Sequence, residues 1–472
     1  MAAASLAGAS LAGLSLAGCG SGSVAHATRQ PAASSTAARR VTGGTAPGRQ
    51  TESAAGTRAA AANAGPSNPA AGTSDAADVS VAPSASLRRL RARLNKALLA
   101  DGGSVGALVT LVDSGAVLYS RHAAIPRAPA SVEKLYTTVA ALNILGPDAR
   151  FSTSVYGSGE LTAHGVWRGN LYLRGGGDPT LGDGGWNKLY EDGYGPTTSE
   201  LAQQLRAYGI RRVKGRVFAD TSLFDSDPGG PFTNNQPDVS DYGGELGALV
   251  FDHGLTSAKF PSPGLEAVHE LALTLRAQGV KVAAAGHTVV TPPDATLLAR
   301  VQSPPLSVLT RLMDVPSDDL IADMLAKQLG ARHDGSGTLT AGASVIAQTI
   351  SADYGLHPTV YDGSGLDHAD RTTPSQVVGL LSTVWGTPTG AALHASLPVV
   401  GEEGTVKYIG AHTKAQGNCV AKTGTLDNVT NLAGYCGVKG GRTVAFALMI
   451  DGPSNYPALL ELSKAVAAIA NW

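Results

Sequence analysis

The sequence predicts a mixed fold, α/β of the α+β kind, in which one domain is split by a smaller inserted one. Three observations predict it. A hairpin pattern at residues 105–119 is answered by strand patterns close to the end of the chain. Helical periodicity follows the first and precedes the second. Between about 147 and 300 the character changes to short strand-like runs, glycine-rich loops and amphipathic helices.

The front of the chain is different in kind. No aromatic residue precedes Tyr119. Residues 1–18 form an Ala/Leu/Gly/Ser run that ends in Leu16-Ala17-Gly18-Cys19. An apolar run up to a small residue suits a segment that must enter a translocon and then fit a protease. The ending resembles the bacterial lipobox, whose cysteine is lipidated. We therefore expect residues 1–19 to be a lipoprotein-type signal segment and Cys19 the lipidation site, placing the protein in the cell envelope on the outer face of the cytoplasmic membrane. The basic residues usual at the start of such a segment are missing, since 1–18 contain neither Lys nor Arg. Residues 20–86 are Ala, Gly, Ser, Thr and Pro with a few charges, too little apolar surface to offset chain entropy, and are expected to be a disordered linker.

Composition narrows the function classes. Lys and Arg total 36 against 37 Asp and Glu, a net charge of -1, which gives no reason to expect nucleic acid as a partner. No uncharged apolar run of spanning length follows the first segment, which argues against a polytopic membrane protein. Cys19, Cys419 and Cys436 are the only cysteines and lack zinc-type spacing. The glycines at 175–177 lack the Gly-Lys-Ser/Thr of a phosphate loop. No cofactor or metal is expected.

From residue 87 the chain reads as folded. An amphipathic helix covers 87–99, the hairpin 105–119, and a helix runs from Ser131 to about 145. Within 147–300, strands are expected at 170–174 and 213–218 and helices at 199–208 and 265–278. Helices return at 306–312 and 318–329, and the chain closes with strands at 418–425, 430–438 and 443–451 and a helix near 456–469. The expected division is 87–146 and 301–472 for the main domain and 147–300 for the inserted one.

Three short motifs carry chemistry. Ser131-Val132-Glu133-Lys134 sits at a helix start, and residues three apart share a helix face, so Lys134 lies one turn above the Ser131 hydroxyl. A neutral lysine can take the proton that makes a hydroxyl nucleophilic, and the helix N-terminus offers N–H groups for an oxyanion. Taken singly, such pairs mostly sit on solvated helix faces. Lys422-Thr423-Gly424-Thr425 lies on a strand. Its cation and hydroxyls suit a carboxylate, and its glycine suits close approach of a ligand backbone. Ser317-Asp318-Asp319 opens a helix, and taken singly reads as an N-cap.

Together and in this order, Ser-x-x-Lys, a Ser-x-Asn-like triplet and Lys-Thr-Gly resemble the signature of penicillin-binding proteins and serine β-lactamases. Separations of 186 and 105 residues require an insertion after the first motif. The resemblance sharpens with Pro129-Ala130-Ser131, Gly176-Gly177-Asp178-Pro179-Thr180-Leu181, Gly215-Arg216-Val217, Asp362-Gly363-Ser364-Gly365-Leu366, Thr373-Pro374, Leu397-Pro398-Val399, Gly404-Thr405 and the stretch from Lys422 to Tyr435. Residues 87–472 are similar to the D-Ala-D-Ala carboxypeptidase/endopeptidase family of low-molecular-weight class C penicillin-binding proteins. The resemblance implies a penicillin-binding, serine β-lactamase-like catalytic domain, a five-stranded antiparallel sheet flanked by helices. It implies hydrolysis of peptidoglycan stem peptides through an acyl-enzyme, with β-lactam antibiotics as inhibitors. By the same resemblance Ser131 is the nucleophile, Lys134 its base and Ser317 a proton relay to the leaving amine. Asp319, Lys422, Thr423, Gly424 and Thr425 bind substrate, and the backbone N–H groups of Ser131 and Thr425 form the oxyanion hole.

Asp319 departs from the family, which has Asn there. An Asn amide donates to a substrate carbonyl; an ionised Asp only accepts. Pairing with Lys134 would also hold the lysine's proton in place and weaken it as a base. The rival readings are a β-lactamase or esterase on the same fold, and a catalytically impaired, peptidoglycan-binding lipoprotein. Finally, an unslipped hairpin between the strands at 418–425 and 430–438 sets Cys419 opposite Cys436 and Lys422 opposite Ala433. Opposed residues of a non-hydrogen-bonded pair lie about 4.5 Å apart at Cα, so a disulfide is expected.

Overall fold

The Ser84 hydroxyl accepts a hydrogen bond from the Leu87 amide at 3.2 Å and so starts helix α1, Ala85–Ala97. The structure is a computed structural model and describes residues 84–99, 103–238, 243–255, 260–283, 285–452 and 454–472. Cys19, the expected signal segment and nearly all of the expected linker lie outside the described residues. The helix begins at Ala85, two residues before the start expected at 87. Its Leu90, Leu94 and Ala97 are buried. Strands β1 (Ser104–Leu111) and β2 (Val117–Arg121) pair antiparallel as the expected hairpin. A 3-10 turn, Ala130–Glu133, leads into α2, Lys134–Leu145. The helix expected from Ser131 therefore starts as a tighter turn.

A second sheet is then built from β3 (Ser152–Leu161), β4 (Val166–Arg174), β5 (Arg212–Val213), β6 (Val217–Asp220), β7 (Ala285–Thr288) and β8 (Thr296–Gln302), with helices α3 (Gly184–Tyr190), α4 (Thr198–Ala207) and α5 (Pro263–Ala277). Its order is β7-β6-β4-β3-β8, with β5 beside β4. The sheet is mixed: β3 runs antiparallel to β4 and β8, whereas β6 runs parallel to β4 and β7. The single strand expected at 213–218 is two. Gly215 separates them at a point where a Cβ would meet Gly169 O and Asn170 Oδ1 at 2.3 Å, so the chain squeezes past β4 instead of running straight. Ser152 lies opposite Gln302, which brings the two ends of this segment side by side.

The chain continues through α6 (Leu306–Asp314), α7 (Asp319–His333), α8 (Leu339–Tyr354), α9 (Pro374–Val384) and α10 (Pro388–Ser396). It ends with β9 (Cys419–Leu426), β10 (Val429–Val438), β11 (Arg442–Asp451) and α11 (Asn455–Ala470). Five strands join in the order β2-β1-β11-β10-β9, every neighbour antiparallel. Alternation along β11 explains why both faces are covered. Phe446, Leu448 and Ile450 pack with Leu94 of α1 and Leu462 and Val466 of α11. Ala445 and Ala447 face the other way, among Val139, Leu325 and Leu381 from helices α2, α7 and α9. This is a mixed α/β protein whose five-stranded antiparallel sheet is flanked by helices. Cys419 and Cys436 are paired opposite each other and bonded as a disulfide, and Lys422 faces Ala433 in the same register.

Candidate active site

Ser131 stands on a turn whose backbone is held from three sides. Ala130, just before it, has φ +47, a left-handed conformation that a non-glycine residue keeps only under constraint. The Asn431 side-chain amide, on β10, donates to Ala128 O at 2.9 Å and Pro129 O at 2.8 Å. A Cβ at Gly424 would meet Pro129 O at 2.4 Å, and one at Gly365 would meet Ala130 O at 2.0 Å. Both positions are glycine because the Ser131 turn fills the space a side chain would need. For Gly424 the close partner is this turn, not an open channel for ligand backbone.

Lys134 is fully buried one turn further on. Its ammonium donates to Ser131 Oγ at 3.1 Å, to Asp319 Oδ1 at 2.5 Å and to the Ser364 carbonyl at 2.8 Å. The carbonyl is fixed by its loop. Asp362 accepts from the amides of Ser364, Gly365 and Asp367 at 3.1, 2.6 and 2.8 Å, and Asp323 accepts from Gly363 N at 2.9 Å. Burial raises the Asp319 carboxyl above its ordinary range, against the pull of Lys134, and leaves its side chain 17 % exposed.

Ser317 precedes α7. Its φ of +72 is left-handed, and the next residue, Asp318, is the N-cap, with Oδ1 accepting from Ile321 N at 2.7 Å. The cap is thus Asp318, which leaves the Ser317 hydroxyl for Lys422. The buried Lys422 ammonium donates to Ser317 Oγ at 2.7 Å and to Thr423 O at 3.2 Å. Burial, then the neighbouring Lys134, push the Lys422 pKa down to about 7, with Asp314 and Asp319 opposing.

The structure therefore gathers Ser131, Lys134 and Asp319 through one ammonium, and Ser317 with Lys422 through another. It does not bring the hydroxyls of Thr423 and Thr425 to these cations. On β9 Lys422 and Gly424 point to one face, Thr423 and Thr425 to the other. Thr423 donates to Thr405 Oγ1 at 2.7 Å, while Thr425 is exposed. Among the described residues no group of three metal-ligating side chains is gathered, and no helix is long and apolar enough to cross a membrane.

Residues 89–261 and 256–471 match the family described as D-Ala-D-Ala carboxypeptidase 3 (S13). The chain belongs to this family. It is 32% identical over 434 residues to Carboxypeptidase DacB of Mycolicibacterium smegmatis, covering 85% of this chain and 90% of that protein. It is 30% identical over 453 residues to the D-alanyl-D-alanine carboxypeptidase of an Actinomadura species, covering 78% and 81%. Its fold is that of penicillin binding protein 4 (dacB) from Haemophilus influenzae, with TM-score 0.68 at 21% identity over 81% of this chain and 99% of that one.

Several side chains of this S13 carboxypeptidase escaped the motifs. Asn431 holds the Ser131 turn, and Thr405 accepts from the Thr423 hydroxyl. Buried Asp314 accepts from Ser396 at 2.7 Å and Thr138 at 3.1 Å; burial lifts its pKa to about 6, and Lys422 is the main influence holding it down. Asn431 and Thr405 fall inside stretches that carry the family resemblance, but nothing in their local spacing marks a function. Asp314 carries no sequence signal at all.

Proposed function

We propose that Ser131 is the acylated nucleophile of this serine D-Ala-D-Ala carboxypeptidase and that Lys134 is its base. The observation that carries this is the 3.1 Å contact between Lys134 Nζ and Ser131 Oγ inside a turn locked by Asn431 and Gly424. In its neutral form Lys134 takes the hydroxyl proton, and Ser131 Oγ bonds to the carbonyl carbon of the penultimate D-Ala. The N–H groups of Ser131 and Thr425 receive the oxyanion. The peptide C–N bond then breaks, and the departing D-Ala nitrogen gains its proton through Ser317, which Lys422 holds at 2.7 Å. Water attacks the ester and returns Ser131 to its free form.

The substrate is a peptidoglycan stem peptide, and Lys422 receives its terminal carboxylate. β-Lactams imitate the same acyl bond and acylate the same serine. Cross-link cleavage by an endopeptidase mode follows the same chemistry on a longer leaving group. The inserted domain of residues 147–300 belongs to this reading, supported by a separate sheet whose ends, Ser152 and Gln302, lie opposite each other. So do the lipid anchor at Cys19 and attachment to the membrane, supported by the Leu-Ala-Gly-Cys ending.

Intact-mass measurement tests the central claim. Protein mixed with penicillin should gain one covalent adduct, and Ser131→Ala should gain none. An adduct on Ser131→Ala sinks the assignment. Release of D-Ala from a D-Ala-D-Ala peptide, with a penicillin adduct that persists instead of turning over, separates a peptidase from a β-lactamase.

A further inference from the structure

A buried histidine lies against the Ser317 turn and belongs to none of the motifs. His253 Nε2 is 3.1 Å from Asp318 Oδ2, and its Nδ1 is 3.4 Å from Glu191 Oε1. Burial works against charge on the ring, yet Asp318 and Glu191 on either side raise its pKa to about 11. The imidazolium therefore donates from both nitrogens. Glu191, just after α3, is itself buried.

The backbone around this contact is constrained at both ends. Asp252, His253 and Gly254 are all left-handed, with φ +45, +63 and +65, and Ser317 has φ +72. Non-glycine residues persist in that region only where the surroundings over-determine them. Asp318 supplies the constraint at Ser317. Its amide donates to Met313 O at 2.8 Å, its Oδ1 caps α7 through Ile321 N, and its Oδ2 is taken by His253. A carboxylate fixed at both oxygens cannot rotate, so the residue before it is fixed too.

The geometry points to His253 as a positioning residue for Ser317, a clasp between Glu191 and Asp318 that ties the 152–302 segment to the proton-relay turn. His253 touches no reacting atom in the scheme above. It acts by keeping Asp318 in place, so that Ser317 Oγ stays on Lys422. This rests on the reading of Ser317 as the relay, and the test separates the two.

The test measures kcat, KM and Tm on the full-length protein with a D-Ala-D-Ala peptide, for wild type, Ser317→Ala, His253→Ala and His253→Gln. Ser317→Ala should lose about a hundredfold in kcat. His253→Ala should lose about tenfold in kcat with KM unchanged within about twofold. His253→Gln, whose amide N–H still reaches Asp318, should regain most of that loss. If Ser317→Ala keeps wild-type kcat, the relay reading fails and the clasp with it. If Ser317→Ala is crippled and His253→Ala is not, only the clasp fails. A His253→Gln protein as slow as His253→Ala at wild-type Tm also overturns it. Should His253→Ala fail to fold, Glu191→Gln replaces it: an unchanged kcat there overturns the clasp, and a loss of about threefold supports it.

Discussion

The ammonium of Lys134 lies 3.1 Å from Ser131 Oγ and 2.5 Å from Asp319 Oδ1, so one cation serves a hydroxyl and an acid together. An ionised Asp319 sets a charge beside the proposed base and offers the substrate carbonyl no N–H. Asp319→Asn removes that charge and supplies an N–H for the substrate carbonyl. Turnover of a D-Ala-D-Ala peptide should rise, by about three- to tenfold. A fall in steady-state kcat would show instead that the acid is adapted to this site.

Lys134→Ala should abolish penicillin acylation. It also strands Asp319 in a largely buried place, at a cost of about 2 kcal/mol in folding free energy. The double variant Lys134→Ala/Asp319→Asn should regain the stability and stay inert. Denaturant melts beside a fluorescent-penicillin assay distinguish these, and acylation at the wild-type rate by either protein refutes the base assignment.

Lys422 titrates near neutrality. Burial, with help from Lys134, lowers its pKa to about 7, so the free enzyme holds a cation there below that pH and a neutral amine above it. For peptides ending in a free carboxylate, kcat/KM should fall as pH rises through about 7. Amidated analogues should lack that limb of the profile. Parallel curves for both would remove Lys422 from carboxylate recognition.

Gly424→Ala should disturb the nucleophile and not the strand. A Cβ there meets Pro129 O at 2.4 Å and Val132 N at 3.1 Å, which pushes the Ser131 turn off β9. Misplacing a reacting atom by about 1 Å costs on the order of a hundredfold. Acylation should slow by that much; near-normal acylation would mean the turn yields easily.

Cys419 and Cys436 close a loop with a sequence separation of 17. A loop of that size contributes about 3 kcal/mol. Denatured, non-reduced Cys19→Ala protein should show no free thiol, and the Cys419→Ala/Cys436→Ala variant should melt at lower temperature. Two free thiols would rule out the bridge in the purified protein.

How much of this was legible depends on how local its cause is. The strands at 419–451 read well because each alternates or runs apolar between turn residues, and the Cys419–Cys436 register followed from one uninterrupted hairpin. Helices α8, α9 and α10 were not read, although Thr338, Thr373 and Thr387 cap them and α8 and α9 bury apolar residues at helical spacing. Lys134 meeting Asp319 was anticipated from the motif order. The motifs placed Thr423 beside Lys422 in sequence, and strand pleating put them on opposite faces. Asn431, Asp314 and His253 were invisible, since each gains its role from a partner far away along the chain.

The sheet pairing has a consequence in time. Ser104 lies opposite Asp451, so β1 waits for β11 before the central sheet can close. Ser131, by contrast, emerges early in synthesis, long before Lys422 and Gly424. Until those last strands arrive, Ser131 is an ordinary hydroxyl on an unbraced turn. If Ser131 is the acylated serine, completion of the fold and the onset of reactivity should coincide, and a β-lactam label should count finished molecules and not nascent ones.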